Sequence, residues 1–153
     1  METPLNPTPK MPAAGAISSP STPPRIGTVH CLHAAGAELG EGLLWSAREQ
    51  VLYWVDILGR RLHCLEPVSR IHTHWDMPEE ISALAERQNK PGLIVTLRKG
   101  FARFDPALDE APVYLHQPAQ EPPGNRFNDG KCDAQGRFWA GSMDFACEAP
   151  TGA

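Results

Sequence analysis

Two short polar segments carry side chains that could bind a small molecule or a metal ion. In the first segment, Glu41 stands between Gly40 and Gly42, directly before the apolar run 43–45. Glycines on both sides let a ligand approach the backbone closely, and a carboxylate there can bind a hard divalent cation through oxygen. A solvated glutamate in a turn would have the same neighbours. The spacing alone therefore leaves both interpretations of Glu41 open.

The second segment, residues 125–131, places amide, guanidinium and carboxylate groups within a few positions of one another. Strand alternation would put Arg126 and Asn128 on one face. Phe127 and Asp129 would then take the opposite face. A guanidinium fork beside an amide suits a polyhydroxylated or carboxylated small molecule. The segment also contains Asn-Asp-Gly, which is typical of a polar turn, so this alternative stays open as well.

Other residue types offer weaker candidates. His72 and His74 would share one face of a predicted strand and could chelate a metal ion, although an exposed edge strand explains them more simply. The tryptophans recur with the apolar runs, which predicts that they pack in the core. They are Trp45, Trp54, Trp75 and Trp139. The sequence contains no G-x-S-x-G, P-loop, G-x-G-x-x-G or H-E-x-x-H motif, so a serine hydrolase or a nucleotide-binding enzyme has no support.

The composition excludes several classes of partner. The chain of 153 residues has 14 basic and 18 acidic side chains and a formal net charge of -4, which disfavours nucleic acid. No apolar run approaches the roughly 20 residues that cross a bilayer, so we expect no membrane span. The four cysteines form no C-x-x-C pair, which disfavours a zinc ribbon or a disulfide framework and favours a cytoplasmic protein. They are Cys31, Cys64, Cys132 and Cys147.

Short apolar or alternating runs predict an all-β chain that positions these residues. From Thr28 onward the runs are rich in β-branched and aromatic residues and are separated by Gly, Pro, Asn and Asp, with no sustained helical periodicity. The first of these runs is residues 28–32. Ahead of them, residues 1–27 are proline-rich with few large apolar side chains, and we predict that they form a disordered tail.

A longer repeat refines the predicted fold. Three segments share a small-residue turn, a polar loop and an apolar strand followed by Gly, with Leu52, Leu93 and Arg137 at equivalent places. A period of about 40 to 50 residues with four short strands per unit indicates a β-propeller blade, whereas a simple sandwich would lack the longer period. Residues 28–153 would then form a partial β-propeller of about three blades.

Three sequence stretches resemble the SMP-30/gluconolactonase/regucalcin family. They are GEGLLW, LYWVDILGRRLH and NRFNDGKCDAQGRFWAGSMD, and the similarity runs from about Ala37 to the end of the chain. The resemblance implies a six-bladed β-propeller of about twice this length. It also implies hydrolysis of sugar lactones with a divalent metal ion in the central channel. The implied fold agrees with the repeat.

The resemblance also implies roles for single residues. Glu41 matches a metal ligand, and Arg126 and Asn128 match an R-x-N pair that contacts the substrate. Glu148 is the nearest acidic residue to a further substrate contact, in a loose alignment. The other metal ligands, an Asn and an Asp that transfers the proton, belong to later blades, so no catalytic residue is assigned in this chain. Oxygen ligands would suit Ca²⁺ or Zn²⁺, with Mg²⁺ and Mn²⁺ as further candidates.

The expected function is metal-dependent hydrolysis of a sugar lactone, with this chain as the N-terminal portion of such an enzyme. Two alternatives stay open, an inactive fragment and a non-catalytic β-propeller that binds a partner. The lactonase hypothesis places Glu41, Arg126 and Asn128 around one shared cavity, whereas a non-catalytic propeller would have a channel without convergent polar groups. The partner expected is a small-molecule sugar lactone, and the oligomeric state is not predicted.

Overall fold

The computed structural model describes residues 27–108 and 110–153, so the predicted tail lies outside the described residues except for Gly27. These residues form ten β-strands and no helix, which confirms the all-β prediction. Within the same ranges no helix is long and apolar enough to cross a membrane.

The first sheet is an antiparallel meander in which each strand pairs with the next one along the chain. Its strands are β1 (Gly40–Ser46), β2 (Val51–Asp56), β3 (Arg61–Leu65) and β4 (His72–Asp76). Tight turns join them: the Gln50 N–H donates to the Ser46 carbonyl at 2.8 Å, and Gln50 itself has a positive φ of 58°. Such short connections keep successive strands adjacent.

The second sheet repeats the same order, and a third sheet contains one strand pair. The second sheet consists of β5 (Ile81–Glu86), β6 (Leu93–Leu97), β7 (Gly100–Phe104) and β8 (Val113–His116). The third consists of β9 (Asn125–Cys132) and β10 (Phe138–Asp144). The segment that contains Asn-Asp-Gly is thus a strand rather than the alternative polar turn. The count of six blades stays a prediction.

The core lies between the first two sheets. Val55 and Leu62 of the first sheet and Ile81 and Val95 of the second have no exposed surface. β5 contacts β1 and β2 on one side and β9 on the other, so the first strands of the three sheets lie next to one another. Burial of each large aliphatic side chain contributes about 1.5–3 kcal/mol, which holds these first strands at a fixed spacing.

Two sequence predictions about the fold are wrong. Residues 28–32 form no strand, and Val29 is 92% exposed; a run of suitable residues becomes a strand only when another strand pairs with its backbone. Trp45 and Trp139 are also exposed rather than in the core. Trp45 lies on the first strand of its sheet and Trp139 on the last strand of its own. The indole N–H of Trp139 instead donates to the carboxylate of Asp133, a half-buried loop residue, at 3.0 Å.

Candidate active site

The first strand of each of the first two sheets is interrupted by a β-bulge close to its beginning. In β1 the register against β2 shifts between Glu41 and Leu44, and Gly42 inside the bulge has a positive φ of 62°. In β5 the register against β6 shifts between Ile81 and Ala83. A bulge adds one residue to a strand and redirects the neighbouring side chains, and bulges are frequent beside active sites.

A third bulge lies in β9. Phe127 pairs with Ser142 and Gly130 pairs with Ala140, so two residues of β9, Asn128 and Asp129, lie opposite a single residue of β10. The alternation of faces is lost at this place. The prediction that Asn128 and Asp129 point to opposite faces is therefore wrong, because simple alternation holds only in a regular ladder.

The three bulges border one cavity of about 250 Å³. Its lining residues are Glu41 and Ile57 from the first sheet, Ser82 from the second, and Asn128 and Asp129 from the third. The structure thus brings Glu41 and Asn128 together from different sheets. Sequence analysis did not single out Ser82, although it follows the start of β5 much as Glu41 follows the start of β1, and this shared position in the repeat was the available signal.

The chain segment that leads into Glu41 is held by a buried carboxylate. Asp56, at the end of β2, accepts hydrogen bonds from the N–H groups of Glu38 at 3.0 Å, Leu39 at 2.9 Å and Gly59 at 3.0 Å. Burial alone would raise the pKa of Asp56, but these hydrogen bonds outweigh it and lower the pKa. A Cβ at Gly59 would overlap the carboxylate. The start of β1, and with it Glu41, is thereby fixed.

The Glu41 side chain itself is exposed to the cavity. Within residues 27–108 and 110–153 its carboxylate takes part in no hydrogen bond or ion pair. A carboxylate that faces a cavity without a protein partner is free to bind a cation or a substrate hydroxyl.

Arg126 lies behind Asn128 rather than in the cavity lining. Its guanidinium is buried, and Nη1 donates to the Asn128 side-chain oxygen at 2.8 Å and to the Phe127 carbonyl at 3.0 Å. Phe127 is fixed in turn by edge-to-face packing on Phe101. Because Arg126 occupies the amide oxygen, the Asn128 NH₂ group is left as the donor for a ligand. Direct contact of Arg126 with substrate stays a prediction.

Glu148 lies apart from these residues. It follows β10 in an exposed segment, where its N–H donates to the Asp144 carboxylate at 2.9 Å. Its side chain borders a different cavity, of about 380 Å³, together with Met143 and Cys147. The structure does not bring Glu148 together with Glu41, and its substrate contact stays a prediction.

The donor atoms in the shared cavity suit a hard cation only in part. Glu41 and Asp129 offer carboxylate oxygens, the ligands that Ca²⁺ and Mg²⁺ prefer. The Ser82 hydroxyl is engaged with the Thr96 hydroxyl at 2.8 Å. No three His, Cys, Asp or Glu side chains in the described part of the chain are gathered as a complete metal site. Glu41 therefore fits as one ligand of a divalent cation, within an incomplete set.

Two curated relatives are lactonases by name. A 6-deoxy-6-sulfogluconolactonase of Pseudomonas putida is 41% identical over 119 residues, which is 76% of this chain and 39% of that protein. An L-arabinolactonase of Azospirillum brasilense is 37% identical, over 73% of this chain and 37% of that protein. This chain spans about two fifths of the length of these relatives.

Solved structures and family signatures agree with this similarity. A calcium-binding protein, regucalcin, from Agrobacterium tumefaciens superimposes with a TM-score of 0.70 at 29% identity, over 76% of this chain and 39% of that one. The sequence signature of the SMP-30/Gluconolactonase/LRE-like region matches residues 39–153, which include all three bulged strands. The chain therefore belongs to the SMP-30/gluconolactonase/LRE-like family.

Proposed function

We propose that this chain supplies the Glu41 and Asn128 side of a metal-dependent active site that hydrolyses sugar lactones. The observation that carries the proposal is the shared cavity, where β-bulges in different sheets place a carboxylate without a protein partner beside an oriented amide. The names of the lactonase relatives support the reaction class.

Three residues of the cavity lining, and Arg126 behind it, have separate tasks in this proposal. Glu41 holds a divalent cation, Ca²⁺ or Zn²⁺, which when bound polarises the lactone carbonyl. The Asn128 NH₂ group donates to a sugar hydroxyl and fixes the orientation of the ring. Arg126 keeps the amide of Asn128 in the rotamer that presents this donor. The apolar side chain of Ile57 closes one wall against water.

The remaining parts of the site would come from sequence that the longer relatives have and this chain does not match. The resemblance to the family assigns the other metal ligands and the proton-transferring Asp to later blades. The proposal therefore assigns half of a site to this chain, and predicts weak metal binding at Glu41 in the chain by itself.

A chimera tests the proposal directly. Residues 39–153 would replace the matching segment of the Pseudomonas putida 6-deoxy-6-sulfogluconolactonase, and hydrolysis of glucono-δ-lactone and of the sulfonated lactone would be followed by acid release. We expect turnover that a chelator abolishes and that added Zn²⁺ or Ca²⁺ restores. Glu41→Gln should abolish turnover, because the amide cannot neutralise the cation.

The matched control is Glu38→Gln, since Glu38 is an exposed glutamate three residues earlier whose backbone, not side chain, bonds to Asp56. This control should keep full activity. A chimera that folds with a cooperative thermal transition yet hydrolyses neither lactone would overturn the proposal in favour of an inactive fragment. Turnover that survives Glu41→Gln would overturn the role given to Glu41.

A further inference from the structure

A cluster of histidines covers one face of the first sheet, in residues that do not line the Glu41–Asn128 cavity. Trp54 of β2 pairs with His63 of β3, and His63 pairs with His74 of β4, so the three side chains form a row across the sheet. His72 lies two residues before His74 and shares its face. His33, from the segment before β1, completes the cluster against His72.

The rings are as close as the ligands of a metal ion. The ring centroids of His63 and His72 are 5.2 Å apart, those of His63 and His74 5.9 Å, and those of His72 and His74 6.0 Å. Three imidazoles around a tetrahedral Zn²⁺, with Zn–N bonds of about 2.0–2.1 Å, have centroids roughly 5 Å apart. Two residues at i and i+2 on one strand and a third on the adjacent strand therefore have the spacing for a three-histidine site.

We propose that His63, His72 and His74 form a binding site for one borderline transition-metal ion, with Zn²⁺ as the representative. A water molecule would complete the four-coordinate shell, as in other three-histidine zinc sites. Imidazole nitrogen suits Zn²⁺, Cu²⁺ and Ni²⁺, whereas Ca²⁺ and Mg²⁺ prefer oxygen. The site differs in both place and chemistry from the carboxylate of Glu41.

The polar atoms of His63 support this proposal. Its side chain is buried, and its Nε2 has no hydrogen-bond partner among the described residues. Its Nδ1 is hydrogen-bonded to Nε2 of His72 at 3.0 Å, so these two nitrogens already face each other. Trp54 stacks on His63 with an interplanar angle of 3° and fixes the ring. One ligand is therefore rigid and already faces a second.

Metal binding requires the rings of His72 and His74 to rotate until their nitrogens point toward one ion. The rings of His63 and His72 are nearly parallel, with an interplanar angle of 17°, and their nitrogens do not yet converge with a third donor on one point. His74 is exposed and His72 half-buried at the edge strand, so both can rotate about their side-chain torsions without disturbing the core. His63 stays fixed while they do so.

Titration with Co²⁺, a coloured substitute for Zn²⁺, tests the site on the full chain after treatment with a chelator. We expect one equivalent to bind with the visible absorption of a four-coordinate nitrogen site, and Zn²⁺ to displace it. His74→Gln should weaken binding by about 10–100-fold or more, since loss of even an outer-shell partner of a metal ligand costs this much. His72→Gln should do the same.

Two controls separate this site from the other cavity. His116→Gln removes an exposed histidine of β8 outside the cluster and should leave the Co²⁺ affinity unchanged. Glu41→Gln should also leave it unchanged, so that the histidine site and the proposed lactonase site succeed or fail separately. Absence of a saturable Co²⁺ spectrum, or a spectrum that survives both His72→Gln and His74→Gln in folded protein, would overturn the proposal.

Discussion

The first strands of the sheets carry polar side chains at both ends, in two different arrangements. At the far end, Ser46 of β1 donates to Glu86 of β5 at 2.7 Å, and Arg48 forms an ion pair with the same carboxylate at 3.4 Å. Arg48 also donates to the carbonyls of Arg87 and Lys90. Glu86 and Arg48 thus both have protein partners, and these bonds join the first sheet to the second.

At the near end, Glu41 and the Asn128 NH₂ group face a cavity and have no such partners in the described part of the chain. The residue types resemble those of the far end. The difference is whether other protein groups form hydrogen bonds or ion pairs with their side chains. A buried or half-buried polar group that bonds within the protein contributes to stability, whereas one left facing a cavity is available to a ligand. The comparison teaches that polar residues of similar type can join two sheets at one end and border an open cavity at the other, where the β-bulges lie.

The largest expected effect comes from Glu41→Gln. In the chimera with a lactonase relative, turnover should fall by at least about 100-fold, because a metal ligand loses its charge. The thermal stability of this chain should change by less than about 0.5 kcal/mol, since the side chain is exposed. Steady-state kinetics and thermal unfolding measure the two effects. A clear loss of stability would instead show that Glu41 has a structural role like that of Glu86, which links the first two sheets.

The second effect concerns the carboxylate that fixes the start of β1. Asp56→Ala leaves three N–H groups without their acceptor, and we expect a loss of about 2–3 kcal/mol in the free energy of unfolding. Chemical denaturation measures it. Asp76→Ala is the matched control, because Asp76 is an exposed aspartate whose ion pair with Arg61 lies at the surface. Equal losses for the two variants would contradict the assigned role of Asp56.

Glu86→Gln should show the reverse of the pattern expected at Glu41. The substitution weakens the hydrogen bond with Ser46 and the ion pair with Arg48. Because this ion pair is partly exposed, we expect a loss of only about 1 kcal/mol in the free energy of unfolding. Activity in the chimera should remain within a factor of about two, as for a substitution away from the site. A large fall in turnover with unchanged stability would show that both ends take part in catalysis.

The smallest effect is the change in the free energy of unfolding at low pH that Asp56 causes. The folded pKa of Asp56 lies below its ordinary value of 3.8, so the folded state favours the carboxylate. Its contribution is complete above the unfolded pKa and is lost as the pH falls through the lower folded pKa. Wild type should therefore lose more stability below about pH 4 than Asp56→Asn does. Denaturation curves at several pH values measure this, and identical slopes would contradict it.

Much of the fold follows from local patterns. Runs such as Val51–Asp56 and Leu93–Leu97 are rich in β-branched and aromatic residues between turn residues, which is sufficient to predict a strand. Residues 28–32 have the same local pattern and form no strand, because the pattern carries no information about a pairing partner. Exposure of Trp45 could not be predicted for the same reason, because burial depends on what covers a face.

The sequence by itself determined that this chain is all-β, that Glu41, Arg126 and Asn128 are its candidate site residues, and that its family is one of lactonases and regucalcins. Only the tertiary structure decided that Asp129 joins Asn128 in the cavity and that Arg126 supports Asn128 from behind. The physical reason is that a β-bulge depends on the pairing of two strands. Which group faces a cavity is thus fixed by partners distant in the chain, and no local spacing records them.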